Sequence, residues 1–202
     1  MTHTPLPSRV HIAAGDALVV VDVQRDFLPG GALAVAHGDE VIPALNRHLA
    51  RWRAQGLPVF VARDWHPADH CSFQRRGGRW PPHCVAGTAG AAFDPRLDVP
   101  PSAVVISKGT HRDREAYSAF EHTELDAQLR AAGVRRVFVG GLATEYCVLA
   151  TVRDALARGF AVILLADAIH AIDARPGDGR RAEEEMARCG ATLMRHPLPG
   201  PD

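Results

Sequence analysis

The stretch ALVVVDV, residues 17–23, is apolar without alternation until Asp22. A strand with one wet face alternates polar and apolar residues; a strand buried on both faces reads as an unbroken apolar run. Residues 17–23 therefore read as an inner strand of a sheet covered on both sides. Similar short runs recur at 58–62, 103–107, 136–140 and 161–166. Segments with helical spacing separate most of them. In 38–53, Val41, Leu45, Leu49 and Trp52 fall on one stripe; in 145–158, Val148, Leu149, Val152 and Leu156 do the same. Residues 121–132 and 180–188 read as further helices, and 192–194 as an edge strand. Buried strands alternating with helices predict an α/β fold, a three-layer α/β/α sandwich with a mostly parallel central sheet.

Working outward, 202 residues with 47% hydrophobic content suit a single domain, expected over 16–202 and preceded by a flexible arm over 1–15. The 23 basic residues balance the 23 acidic ones. That balance points to no nucleic acid and no membrane surface as partner. No apolar run reaches membrane-spanning length, and residues 1–15 carry no signal-like apolar stretch. The expectation is a cytoplasmic monomer or homo-oligomer acting on a small molecule. Cys71, Cys84, Cys147 and Cys189 are too few and too irregular for a disulfide framework.

In parallel sheets, ligands bind outside the carboxyl ends of the strands. The reactive side chains of this chain gather there. Asp22 and Asp26 follow the first strand, Asp64 and His66 the second, Lys108 the third and Cys147 the fourth. Thr144 is positioned to cap the helix after the fourth strand, which puts Cys147 in a first helical turn. There the dipole and unpaired amides lower a thiol's pKa and can hold an oxyanion. A free cysteine is also a common small buried side chain, so position alone leaves both readings open. Asp22 and Lys108 each end an apolar strand, where an isolated charge is costly. They can neutralise each other as a structural pair, or serve a thiol as base and orienting cation.

Asp64 and His66 alternate along extended chain and can face one ion, with His83 as a third donor. Two imidazoles and a carboxylate suit one divalent metal ion, Zn, Fe or Mn. His70 is a less telling fourth candidate. A closed zinc site using Cys71 and Cys84 is the competing arrangement, without the usual paired cysteine spacing. Phe27, Trp80 and Tyr117 flank these residues and can sandwich a flat ring, or simply pack.

Together the motifs resemble the nicotinamidase/pyrazinamidase group of the isochorismatase-like cysteine hydrolases. The matching segments are Val20–Phe27 with Pro29–Leu33, Asp64-Trp65-His66-Pro67, Trp80–Cys84, Ser107–Thr110 and Gly141–Cys147, in family order over about residues 17 to 170. The resemblance implies conversion of nicotinamide, and of pyrazinamide, to the acid and ammonia through a thioester on Cys147. It implies Asp22 as proton carrier, Lys108 as third member of the triad, and the backbone N–H groups of Ala143 and Cys147 as the oxyanion hole. It further implies a cis peptide between Leu142 and Ala143, and a metal on Asp64, His66 and His83 that binds the pyridine nitrogen. The basic segment 74–79 and the polar stretch 111–115 depart from the pattern and bear on the rim. Two other readings stand beside this one: another small amide on the same triad, and a non-catalytic α/β binding module. Against the second, no Gly-x-Gly-x-x-Gly follows the first strand.

Overall fold

The computed structural model describes residues 10–195. Six strands form one sheet: β1 (Asp16–Val21), β2 (Val59–Asp64), β3 (Val104–Lys108), β4 (Arg136–Leu142), β5 (Ala161–His170) and β6 (Thr192–Met194). Their order is β3-β2-β1-β4-β5-β6 and every neighbouring pair is parallel. The helices are α1 (Val41–Ala54), α2 (Leu125–Ala131), α3 (Leu149–Ala157) and α4 (Asp178–Arg188).

Two apolar layers sandwich the sheet. Leu18 and Val20 of β1 pack with Phe138 and with Leu45, Leu49 and Trp52 of α1. Ala17, Val19 and Val21 face the other way, toward Leu125 and Leu129 of α2, Val152 of α3 and Met186 of α4. Alternate residues of one strand thus feed opposite cores, which is why its sequence shows no polar face.

Chain order reverses at β1. From there the sheet grows through β2 and β3 on one side, and through β4 to β6 on the other. A crevice opens at such a switch point, between the carboxyl ends of β1 and β4. Gly141 makes the two strands' close approach there achievable. Its φ is +126°, and a Cβ would lie 2.0 Å from the Val21 carbonyl oxygen.

The observed elements shift from the expected ones mainly at their ends. The helix expected from residue 121 starts at Leu125, because 118–121 forms turns held by the Glu121 carboxylate and the Ser118 hydroxyl. The helix expected from Glu145 begins as a π-helical turn, Thr144–Val148, that runs into α3. Thr144 does not cap it. Ala143 occupies the cap position in extended conformation, and the buried Thr144 hydroxyl has no hydrogen-bond partner. The implied cis peptide is absent as well: Leu142–Ala143 is trans, like the other peptide bonds of the described residues. Ala143 leaves β4 with φ −90° and ψ 149°, so the extended chain enters the turn without reversal.

Of the segment expected as an arm, residues 1–9 lie outside the described residues. Val10 and Ile12 pack against the α1-side core, and Arg136 Nη2 donates to the His11 carbonyl at 2.7 Å. None of the described helices is long and apolar enough to cross a membrane.

Candidate active site

Asp22 is the first residue beyond β1 and has φ +53°, a left-handed conformation that Asp tolerates better than most residues. This bend turns its carboxylate back over the sheet end, into a fully buried position. Lys108 ends β3 and is equally buried. Register places it beside Asp64 at the end of β2. The Lys108 ammonium lies 2.8 Å from Asp22 Oδ2, donates to Asp64 Oδ1, and sits 3.6 Å from Cys147 Sγ. The distant residues Asp22, Lys108 and Cys147 therefore meet in one dry spot. Lys108 engages Asp22 Oδ2, which leaves Oδ1 open to take a proton.

Burial pushes the Asp22 carboxyl up to about 6, although the neighbouring ammonium pulls it back. Burial would also neutralise Lys108, but the carboxylates of Asp22 and Asp64 outweigh it and hold the ammonium well above its ordinary pKa. The Cys147 thiol corrects an expectation. Its place at a helix start predicts a lowered pKa; burial beside two carboxylates instead raises it well above the usual range, against the pull of Lys108. A thiol raised in this way needs a base to take its proton before it can act as a nucleophile.

Next to this triad stand Asp64, His66 and His83, all buried, with their donor atoms within 4.8 Å of one another. His66 Nε2 and His83 Nε2 lie 3.5 and 3.9 Å from Asp64 Oδ2. The far side of each ring fixes its tautomer. His66 Nδ1 meets the Gly109 carbonyl at 3.0 Å and His83 Nδ1 meets that of Pro81 at 2.8 Å. Each Nδ1 then carries the proton, and each Nε2 offers a lone pair to the shared centre. Gly109 is required for this contact: its φ is +62°, and a Cβ would lie 2.4 Å from the His66 ring. Burial alone would raise Asp64, but Lys108 and His66 drive it below the ordinary carboxylate range, so it stays ionised. One anionic oxygen and two oriented imidazole nitrogens fit a divalent metal.

A second trio, Asp22, Asp64 and Cys147, is equally close, but the Lys108 ammonium already stands against all three. His70 stacks on His66 at 4.2 Å, and both its ring nitrogens are engaged, by Ser72 Oγ and the Arg114 carbonyl. It buttresses a ligand and offers no nitrogen to the centre. Cys71 and Cys84 join no metal-holding group among the described residues.

Between the two clusters lies a narrow cavity with Cys147, Ala143, Asp64 and His83 in its lining. Phe27, Trp80 and Tyr117 all line it, as the sequence suggested. Leu33, Tyr146 and Ile172 line it too and escaped the sequence reading. Tyr146 adjoins Cys147, and an aromatic beside a candidate nucleophile was the available signal. Ile172 had none. It is delivered by Glu145, whose carboxylate accepts the backbone amides of Ile172 and Asp173 at 3.2 and 2.7 Å.

Two further polar residues hold the loops. Gln24 accepts from the Asp64 amide at 2.7 Å and donates to the Asp64 and Ala91 carbonyls. Asp26 Oδ2 accepts the Cys84 amide at 2.7 Å, next to His83. The Ala143 carbonyl takes the amides of Tyr146 and Val148, on either side of Cys147.

A nicotinamidase of Escherichia coli is 38% identical over 88% of this chain and 93% of its own length. A nicotinamidase/pyrazinamidase of Mycobacterium tuberculosis is 41% identical, covering 88% of this chain and 97% of its own. The crystal structure of a Pyrococcus horikoshii pyrazinamidase in complex with zinc superposes with a TM-score of 0.87 at 50% identity, over 90% of this chain and 99% of that one. Residues 16–197 match the isochorismatase domain, and the chain belongs to that family.

Proposed function

We propose that the protein is a metal-dependent nicotinamidase that also accepts pyrazinamide, releasing ammonia through a thioester on Cys147. The observation that carries this reading is the meeting of a thiol, a buried carboxylate and an ammonium at an aromatic-lined cavity, with three metal donors adjoining them through Asp64. The names of the relatives point to the same substrates.

In this reading Asp22 takes the Cys147 proton, and the sulfur attacks the carboxamide carbon. The negative oxygen that forms is received by the N–H groups of Ala143 and Cys147. As the C–N bond breaks, Asp22 returns the proton to the leaving nitrogen, and ammonia departs. Asp22 then takes a proton from water, whose oxygen attacks the thioester. The C–S bond breaks, the acid is formed and the thiol is restored. Lys108 keeps Asp22 in place and offsets the charge that accumulates on sulfur. Phe27, Trp80 and Tyr117 hold the ring. A divalent ion on Asp64, His66 and His83 supplies a Lewis-acid anchor for a ring nitrogen.

The test is ammonia release from nicotinamide and pyrazinamide by purified protein of measured metal content, beside acetamide and a ureido acid as controls. Turnover of the two ring amides with about one metal per chain is the expected result. Turnover confined to the ureido acid, or none at all, would overturn the reading.

A further inference from the structure

The basic segment 74–79 ends in Arg79, whose side chain reaches back over the cavity mouth. Its guanidinium carbon lies 4.6 Å from the centre of the Trp80 ring and 5.5 Å from that of Tyr146. Its Nη2 donates to the Tyr146 hydroxyl at 3.0 Å. Trp80 Nε1 in turn donates to the Tyr117 hydroxyl at 3.0 Å, and the Tyr117 amide is held by Glu121 at 2.6 Å. Trp80 and Tyr146 meet edge to face at 5.4 Å. Three rings from three distant segments thus form one connected wall. Arg79 couples the ring of the metal loop to the ring of the nucleophile turn. It is exposed and outside the cavity lining, so it touches none of the reacting atoms.

We propose that Arg79 is a positioning residue for recognition of a flat heteroaromatic ring. It fixes the spacing of Trp80 and Tyr146, and so governs how tightly substrate binds rather than how fast the carboxamide reacts. A planar guanidinium can lie against one ring while its fixed fork donates to another; an ammonium is a compact point charge without that fork. This inference rests on the carboxamide reading above.

The experiment is steady-state ammonia release from nicotinamide by the full chain loaded with zinc, comparing wild type with Arg79→Ala and Arg79→Lys and measuring inhibition by nicotinate. Arg79→Ala should raise KM about fivefold. It should leave kcat nearly unchanged and raise the inhibition constant of nicotinate by the same factor, because acid and amide share the ring. Arg79→Lys should leave KM raised. Tyr146→Phe keeps the ring and removes the acceptor; combined with Arg79→Ala it should add less than the product of the single effects. It also carries the test should the alanine variant fold poorly.

An unchanged KM in Arg79→Ala, a loss confined to kcat, or full rescue by lysine overturns the inference while the proposed function stands. So does a change in nicotinate inhibition alone, which would mark a charge effect on the acid. A wild type that releases no ammonia overturns both.

Discussion

The two halves of the site are held by different kinds of structure. Asp22, Lys108 and Cys147 follow or end β1, β3 and β4, and the ladder of parallel pairing sets their positions. Val21 lies opposite Gly141, and Asp64 opposite Lys108. His66 and His83 instead ride on residues 65–103, which pair only through isolated bridges such as His66 with Val85 and Phe73 with Trp80. That segment is anchored by side chains, Gln24 to Asp64 and Ala91 and Asp26 to Cys84, and by scattered backbone bonds, such as the Asp26 amide to Gly90, the Arg25 amide to Ala92 and the His66 amide to the Cys84 carbonyl at 3.0 Å. A ladder spreads its hold over many bonds. In the loop segment the bonds are scattered and single side chains weigh more, so damage to each half should have its own signature.

The largest effect expected is on the ladder side. Cys147→Ala should lower turnover by at least about 10⁴-fold, since it removes the proposed nucleophile. Its melting temperature and metal content should match wild type; loss of metal in this variant would show that the halves are not separable. Gly141→Ala should cost about 3 kcal/mol in urea unfolding, because its Cβ meets the Val21 carbonyl and φ is +126°. An unchanged midpoint would mean that the β1–β4 contact is not tight.

On the loop side, Asp26→Ala removes the acceptor for the Cys84 amide and should weaken metal binding about tenfold to a hundredfold, as loss of a group supporting a ligand does. Saturating metal should then restore kcat. His83→Ala removes a proposed donor itself; it should weaken metal binding more and raise KM as well. Equal metal affinity in Asp26→Ala and wild type, by competition with a chelating dye, would place the loop's anchor elsewhere.

The smallest effect is a pH profile. In the proposed mechanism Asp22 must be ionised to take the thiol proton, and burial raises it to about 6. As pH falls through that value the base fills, and kcat/KM should drop toward tenfold per unit. An ordinary carboxylate would delay the fall to about pH 4, so a flat profile down to pH 5 would show that burial does not raise Asp22.

Much of the scaffold was legible because its signals are local. An unbroken apolar run marks a doubly covered strand wherever it occurs, and ALVVVDV carried that mark. Polar residues that interrupt or end such runs, Asp22, Asp64 and Lys108, stood out for the same reason. His66 and His83 were readable from residue type and spacing. The tautomers that aim them were not, since they depend on carbonyls at Gly109 and Pro81. His70 looked equivalent in sequence and differs only in what its two nitrogens already hold.

The amino-acid order by itself determined the layered architecture, the strand ends and the residue types available for chemistry there, because backbone periodicity and burial of apolar runs are short-range matters. Tertiary structure alone decided that burial raises the Cys147 thiol, that Thr144 caps nothing, and that Tyr146 and Ile172 line the cavity. Those outcomes turn on desolvation and on contacts between segments far apart in the chain. No local pattern carries either, since each exists only after the sheet has brought its strand ends together.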